Sequence, residues 1–245
     1  MQKYGVVILA VFCLALSALA IPRAVYKRTP NMGENDDFPM KMRQIMAPEG
    51  GDKLLSRRCP VTASIQMPAI GEWSMLTDGK KECDYGGAFG KWGSCQEEGK
   101  GASMVLYAPG VQWVQVDLKT SQVVNAVCVW RYSFWEYAYR DVIVQLSDDA
   151  DFIDGVTTVF NNDHDNSAGL GAGEDKEYMD DFCGNPVAVP SVRARHVRIY
   201  SNGRYKENGD IWPYNCCTEI EVFGGEPVSD KKVRIAVENP KPVFK

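Results

Sequence analysis

Three apolar-alternating runs between residues 111 and 149 constrain the fold of this chain more than any other feature. In the first run, over residues 113–118, valine and leucine alternate with polar or aromatic residues. In the third run, over 141–146, valine and leucine alternate with Asp141, Ile143 and Gln145. The second run, over 123–130, is apolar on nearly both faces. A period of two residues is typical of half-buried β-strands. The sequence therefore predicts a core built from β-sheet.

The rest of the chain extends this prediction. Short strand-like runs recur at residues 156–160, 193–200 and 218–224, and long loops rich in glycine or acidic residues separate them. The sequence shows no internal repeat and no clear amphipathic helix. Short strands joined by long loops favour two packed antiparallel sheets. We therefore expect an all-β fold, an antiparallel jelly-roll β-sandwich with long loops.

The N-terminus indicates export. Lys3 precedes an apolar run over residues 6–16, and residues 18–20, Ala-Leu-Ala, have the small-x-small form of a signal peptidase site. A retained membrane anchor is the alternative, but the apolar run is short for spanning a bilayer. Residues 1–20 are therefore predicted to be a signal peptide, and the protein is expected to be secreted, periplasmic or on the cell surface.

Composition divides the remaining chain into three parts. Residues 21–56 contain scattered proline, glycine, methionine and charge without a sustained period, which predicts a flexible linker or arm. The β-sandwich is predicted over residues 57–225. Residues 226–245 are predicted to be a C-terminal tail, in which VRIAV is one weak strand-like run.

The cysteines favour disulfide bonds over a metal site. Of the eight cysteines, Cys13 lies in the signal peptide, and the seven that remain are an odd number. Cys128 lies in the middle of a strand on an apolar face and is predicted to be a free, buried thiol. Cys83 and Cys95 are expected to close a local loop, while the remaining connectivity is open. The disulfide candidates are Cys59, Cys83, Cys95, Cys183, Cys216 and Cys217.

Five segments follow one another in the order of a known family: WVQVDL at 113–118, VNAVCVW at 124–130, YRDVIVQLSDD at 139–149, ARHVRIY at 194–200 and TEIEVFG at 218–224. Together with LTDG at 76–79, they resemble the discoidin or coagulation-factor type C domain. The resemblance covers about residues 57–225 and is nearest to a long-loop variant of exported bacterial proteins. It implies a galactose-binding-like jelly roll, also found among carbohydrate-binding modules, whose loops at one end bind ligand.

The same resemblance implies a structural calcium ion near the chain ends of the domain. Its ligands would be the carboxylates of Asp78 and Glu219 with nearby backbone carbonyls such as those of Thr77 and Thr218, because calcium prefers hard oxygen donors. The chain departs from the family after LTDG, where KKECDY stands in place of small oxygen-bearing residues. The alternative is that Asp78 only caps a turn and that Glu219 faces solvent on an edge strand.

The connection between the second and third runs, RYSFWEYAYR, carries five aromatic residues in ten. So short a connection cannot bury all of them, and some rings are expected to reach the surface. Trp135, Phe134 and Tyr137 are the predicted ligand-binding residues, since their rings could stack on the apolar face of a pyranose. Packing beneath the rim of the sandwich is one alternative. Membrane insertion is a weaker one, because no cluster of lysine or arginine accompanies the rings.

A second candidate lies in the loop over residues 202–215. Arg204, Trp212 and Tyr214 combine the planar hydrogen-bonding and stacking groups that are typical of a sugar cleft. The alternative is that they cover the bottom of the barrel. Upstream of this loop, Arg195 and Arg198 have opposite parity in their strand, so they are not expected to line one site together.

A third candidate is the acidic, glycine-rich loop that follows residue 160. Asn161, Asp163 and Asp165 alternate as metal-binding carboxylates do, but the glycine and glutamate positions of an EF-hand are out of place. The loop is therefore a candidate for a calcium site or for hydrogen bonds to sugar hydroxyls. A solvated acidic loop without a ligand is the alternative.

Charge and motifs exclude two classes of function. The net charge is −5 and no basic block stands out, which disfavours nucleic-acid binding. The chain has two histidines, His164 and His196, and neither neighbours a nucleophile motif. Neither G-x-S-x-G nor H-E-x-x-H occurs, and no glycine loop for phosphate is present. An enzyme is therefore not expected.

These observations predict an exported, non-catalytic binding module that recognises a glycan or cell-surface glycoconjugate through aromatic-rich loops. A cell-surface module for protein–protein interaction or adhesion is the alternative, with another protein as its partner. A glycoside hydrolase is less favoured, because nothing in the sequence selects two carboxylates at a fixed spacing.

Overall fold

The computed structural model of the protein describes residues 43–81, 104–131, 137–176, 178–179, 185–206, 211–226 and 228–237. Within these ranges the chain forms β-strands and one short 3-10 helix, Trp73–Thr77. The strands in chain order are β1 Arg43–Glu49, β2 Lys53–Leu54, β3 Val61–Ala63, β4 Val105–Pro109, β5 Gln112–Trp130, β6 Tyr137–Tyr139, β7 Ile143–Ser147, β8 Thr157–Asn161, β9 Tyr178–Met179, β10 Asn185–Ser201, β11 Arg204–Lys206, β12 Ile211–Trp212, β13 Tyr214–Cys217, β14 Glu219–Gly224 and β15 Ser229–Val237.

The main sheet is built around the two long strands β5 and β10, which pair antiparallel along nearly their whole length. Its strand order is β2-β14-β5-β10-β7-β8, and β3 pairs with the first half of β5. The first two apolar runs of the sequence are therefore one strand and not two. The chain passes from one run to the other through Lys119, whose φ of 70° bends the strand without ending it.

The main core lies on one face of this sheet. Val114, Val116 and other inward residues of β5 pack with Tyr107 of β4 and with Leu76 of the 3-10 helix. The β4–β13 pair and the helix thus form the opposing layer, and Trp73 meets the Tyr107 ring edge-on at 5.5 Å. The predicted all-β antiparallel sandwich is confirmed.

A second, smaller core lies on the opposite face of the main sheet. β1 and β15 pair with each other to form a two-stranded ribbon, which we call the terminal ribbon. Its residues Ala47 and Ile235 pack against Ala126, Cys128 and Trp130 of β5. This explains why the second apolar run is apolar on both faces, since each face covers a different core.

The terminal ribbon extends strand pairing beyond the predicted boundaries. β1 and β2 lie inside the segment 21–56 that was predicted to be a linker, and β15 lies inside the segment 226–245 that was predicted to be a tail. Neither segment has a strong period of its own, because each strand contributes only one or two core residues. The predicted signal peptide lies outside the described residues. Within the described ranges, no helix is long and apolar enough to cross a membrane.

The polar residues of β5 and β10 form a network on the outer face of the sheet. Arg195 makes a two-pronged ion pair with Asp117, with both N–O distances at 2.8 Å, and Arg198 donates to Gln115 at 2.8 Å. Both arginines therefore reach the same face of β5, although their parity predicted otherwise. The cause is an irregularity in the register of β10 between Ala194 and His196.

Candidate ligand-binding site

The fold brings two of the predicted binding segments into one small sheet. Its strand order is β12-β11-β6-β9, so β11 lies between the strand that ends the aromatic loop and the strand that carries Trp212. Arg204 is opposite Tyr139 on one side and opposite Trp212 on the other. The segments 131–140 and 202–215, which sequence reasoning treated separately, are therefore neighbours.

Arg204, Trp212 and Tyr214 form a layered cluster, which we call the aromatic cluster. The guanidinium carbon of Arg204 lies 5.4 Å from the centre of the Trp212 ring. The Trp212 and Tyr214 rings are 6.2 Å apart and tilted by 55°. Arg204 is only 6% exposed, whereas Tyr214 is 40% exposed. Tyr214 and the half-buried Trp212 can therefore meet a ligand, while Arg204 supports the tryptophan ring from below.

The backbone beneath the aromatic cluster depends on a glycine. Gly203 has a φ of 70°, and a Cβ atom there would lie 2.6 Å from the carbonyl oxygen of Trp212. The strands β11 and β12 can approach each other so closely because residue 203 has no side chain. The tight approach fixes the position of Trp212 relative to Arg204.

The aromatic loop is only partly described. Trp135 and Phe134, two predicted ligand-binding residues, lie outside the described residues, and of Tyr137 only the strand position in β6 is described. Tyr139 is 1% exposed, and the Arg131 guanidinium lies 4.2 Å from its ring centre. Tyr139 thus packs beneath the rim, as the alternative interpretation of this loop proposed.

The acidic loop after residue 160 lies beside this region. Asp141 accepts hydrogen bonds from Asn202 Nδ2 at 2.7 Å and from Ser167 Oγ at 2.9 Å. Oxygen atoms of Asp141, Asp163 and Asp165 lie within 4.8 Å of one another. Of these three carboxylates, that of Asp165 is exposed next to the 202–215 segment.

The structure adds one residue to the acidic loop that the sequence prediction did not include. Asp141 joins Asp163 and Asp165, although it precedes β7 by only two residues and is twenty residues away in sequence from the loop. The side-chain amide of Asn161 donates to the Gly171 carbonyl at 2.9 Å, and its Oδ1 accepts from the backbone N–H of Asp163 at 2.9 Å. Asp163 is fully buried, and burial raises its pKa, although the backbone amides of Ser167 and Ala168 donate to its carboxylate.

The predicted calcium ligands come together at another part of the sandwich. The backbone N–H of Gly79 donates to both carboxylate oxygens of Glu219 at 3.0 Å. Glu219 is 1% exposed, and burial raises its pKa to about 8. Asp78 ends the 3-10 helix as its C-cap residue, as the alternative interpretation proposed, but Glu219 does not face solvent. Calcium binding itself stays a prediction.

The other two predicted calcium ligands, Thr77 and Thr218, are also buried. The hydroxyl of Thr77 donates to the Cys59 carbonyl at 2.8 Å, and the Thr77 carbonyl accepts from the backbone N–H of Arg58 at 2.8 Å. The backbone N–H of Thr218 donates to the Trp130 carbonyl at 2.8 Å. These threonines therefore connect β14 and the 3-10 helix to their neighbours.

The cysteines within the described ranges are all buried: Cys59, Cys128, Cys216 and Cys217. No two of these four are bonded to each other. The Cys59 thiol lies 3.3 Å from the Leu55 carbonyl oxygen, and the Cys217 thiol lies 3.1 Å from that of Trp130. The other three disulfide candidates, Cys83, Cys95 and Cys183, lie outside the described residues, so the predicted bridges stay predictions.

Among known proteins, the chain is similar to several solved structures. No family model matches the chain, and no curated protein matches it. Among solved structures, the chain is similar to chitosan-binding module 1 of the chitosanase/glucanase from Paenibacillus sp. IK-5. The identity is 22% and the TM-score 0.45, over 70% of this chain and 99% of that one.

Two further solved structures have similar values. The CBM32 of AlyQ in complex with 4,5-unsaturated mannuronic acid is 16% identical with a TM-score of 0.44, over 67% of this chain and 93% of that one. CpGH89CBM32-5 from Clostridium perfringens, in complex with GalNAc-β-1,3-galactose, is 14% identical with a TM-score of 0.44. That match covers 70% of this chain and 99% of the other.

Proposed function

We propose that this protein is an exported, non-catalytic module that binds carbohydrate at the aromatic cluster. The observation that carries this proposal is the exposed Tyr214 ring tilted against Trp212, with the buried Arg204 beneath it. Sugars present an apolar face and a ring of hydroxyls, so a site for them needs aromatic surface with polar groups close by. The exposed carboxylate of Asp165 in the neighbouring acidic loop would supply an acceptor for those hydroxyls.

The surroundings of the histidines support a binding role over catalysis. His164 Nε2 lies 2.8 Å from the Asp175 carbonyl oxygen, and His196 Nδ1 lies 3.4 Å from the Gln115 amide nitrogen. A general base needs to lie within hydrogen-bond reach of a nucleophile. Both histidines are instead engaged with groups that stabilise loops and strands.

The proposal is tested with Tyr214→Ala on an array of neutral, amino and acidic glycans, followed by calorimetry with the best ligand. Loss of one stacking ring is expected to weaken binding by about 1 kcal/mol, roughly fivefold. Ile153→Ala is the matched control, because Ile153 is 78% exposed and lies in a loop outside the aromatic cluster. Its affinity should equal that of the wild type.

Two results would contradict the proposal. One is the absence of binding to any glycan by the folded wild-type protein. The other is an equal loss of affinity in both variants, which would place the sugar away from Tyr214. A captured protein partner whose binding is insensitive to added sugars would favour the adhesion module instead. Trp135→Ala extends the same assay to the predicted residue of the aromatic loop.

A further inference from the structure

β14 carries two buried carboxylates next to the 3-10 helix. Glu219 is 1% exposed and Glu221 is 5% exposed. They are two residues apart in one strand, so their side chains leave the same face of the sheet. Burial of an ionised carboxylate is strongly unfavourable unless a positive charge or a proton compensates it. Positive charge close to this pair would stabilise its ionised form.

Lys81 supplies the first positive charge. Its ammonium lies 2.7 Å from one oxygen of Glu221, and the Lys81 and Glu221 side chains are only 13% and 7% exposed. The same ammonium lies 4.5 Å from the centre of the Trp130 ring. The indole N–H of Trp130 donates to the second Glu221 oxygen at 2.8 Å. Both oxygens of Glu221 are therefore engaged by side chains of this chain.

Arg57 supplies the second positive charge, beside Glu219. Its guanidinium lies over Gly79, so that a Cβ atom on residue 79 would overlap it. Gly79 is the residue whose N–H binds both Glu219 oxygens. The Arg57 charge therefore lies next to the peptide group that binds Glu219. Gly79 also has a φ of 84°, a backbone angle that favours glycine.

The side chain of Asp78, a predicted calcium ligand, already lies beside a hydrogen-bond donor and a positive charge of the chain. Asp78 accepts from the Lys80 backbone N–H at 2.8 Å, and its other oxygen lies 3.8 Å from the Lys80 ammonium. The Thr77 hydroxyl and carbonyl both have partners, as described above. Calcium takes six to eight oxygens, several of them carboxylate or carbonyl. Three converging carboxylates do occur in the described ranges, but at Asp141, Asp163 and Asp165.

We propose that Arg57 and Lys81 take the place of a structural calcium ion in this protein, so that Glu219 and Glu221 are buried in the sandwich without a bound metal ion. The segment KKECDY, which departs from the family pattern, then has a physical role. Its second lysine neutralises a buried carboxylate that would otherwise require a cation.

The first test is thermal unfolding of the full chain in calcium or in EGTA, with Lys81→Met and Lys80→Met as a pair. Lys81→Met keeps the apolar stem but leaves Glu221 buried without its cation, so Tm should fall on the order of 10 °C. Lys80→Met is the matched control, because the Lys80 side chain is 73% exposed and its Tm should match the wild type. Calcium should not restore Lys81→Met, whereas the added change Glu221→Gln should restore part of the loss.

The second test needs no destabilised variant. Wild-type protein that has been stripped with EGTA is titrated with calcium by calorimetry, and its Tm is measured at each end point. Equal Tm values with and without calcium support the proposal. Calcium stabilisation that persists in Glu219→Gln also supports it, since the ion then lies elsewhere. Stabilisation by calcium that Glu219→Gln abolishes would overturn it, and so would an unchanged Tm in Lys81→Met.

Discussion

Arg198 illustrates how one residue can organise a whole face of the sheet. Its guanidinium carbon lies 4.1 Å from the ring centres of both Trp113 and Phe152. Within the same network it donates to Gln115 at 2.8 Å and to the Ala150 carbonyl at 3.0 Å. Phe152 reaches this position with a φ of 59°, an uncommon backbone angle for an aromatic residue. The arginine therefore fastens the loop around residue 150 to the outer face of the sheet.

Arg198→Ala should lower the free energy of unfolding by about 3 kcal/mol, because it removes two ring contacts and leaves the buried Oε1 of Gln115 without the Arg198 donor. Urea unfolding measures this value. Arg193→Ala is the control, since Arg193 lies in the same strand with a side chain that is 53% exposed and contacts the exposed Glu226 and the Ser121 carbonyl of β5. That variant should change stability by less than about 0.5 kcal/mol. Similar losses in both variants would contradict the structural role of Arg198.

His196 should make stability depend on pH. Burial lowers its pKa, and the nearby Asp117 only partly offsets this effect. Asp117 stays ionised near neutral pH, because its hydrogen bonds with Arg195 lower the pKa of its carboxyl to about 2. In the unfolded chain the histidine takes up a proton near pH 6.5, whereas in the folded chain it does so only at lower pH. Stability that is present above that pH is therefore lost as the pH falls through the folded pKa.

The measurement is Tm between pH 7.5 and 5 for wild type and His196→Gln. The wild-type Tm should fall more steeply, since glutamine does not titrate. Salt and protein concentration are the same for both proteins at each pH. Parallel curves would show that His196 contributes nothing to the pH dependence in this range.

At the scale of elements, the terminal ribbon is the part of the fold with the weakest sequence signal. Seven residues of β1 pair with β15, which lies 180 residues or more further along the chain. Ile235 is 2% exposed and packs on the second core, whereas Met46 on the other side of the ribbon is 53% exposed. The ribbon is thus held to the main sheet by a few apolar residues on one face.

Ile235→Ala should cost about 2–4 kcal/mol in the free energy of unfolding, because it leaves a cavity against β5. Val228→Ala serves as the control, since Val228 is 74% exposed and precedes the same strand. Val228→Ala should leave the free energy of unfolding nearly unchanged. A neutral result for Ile235→Ala, measured by denaturant unfolding, would mean that the ribbon is not part of the cooperative core.

At the scale of the molecule, the aromatic cluster and the buried carboxylates of β14 lie in different parts of the fold. Arg204 and Trp212 of the aromatic cluster belong to the small sheet β12-β11-β6-β9, and Tyr214 begins β13. Arg57, Lys81 and the buried glutamates lie around β14 and the 3-10 helix instead. The two regions share no residue. Changes at Tyr214 should therefore affect binding without affecting stability, and changes at Lys81 should do the reverse.

Much of the fold follows from the sequence alone. The two-residue period of Val114, Val116 and Leu118 determines which face of β5 is buried, because a strand turns alternate side chains to opposite faces. The same reasoning locates β7, β10 and β14. It also identified Arg204, Trp212 and Tyr214 as candidates, since exposed rings and planar cations in one loop are typical of binding sites.

The tertiary structure determined contacts between distant segments, which the local sequence pattern does not predict. The pairing of β11 with β6 brought Arg204 next to Tyr139, about sixty-five residues earlier in the chain, and the hydrogen bond from Asn202 brought in Asp141. The irregularity in β10 placed Arg195 and Arg198 in one hydrogen-bond network on the outer face, although they are an odd number of residues apart in the strand. Such contacts depend on register and loop closure between distant segments. The sequence by itself therefore determined the strong apolar strands of the main sheet and most of their buried faces, because their side chains alternate. Only the assembled sheets decided the weak strands of the terminal ribbon and which side chains share a site, because both depend on contacts between distant segments.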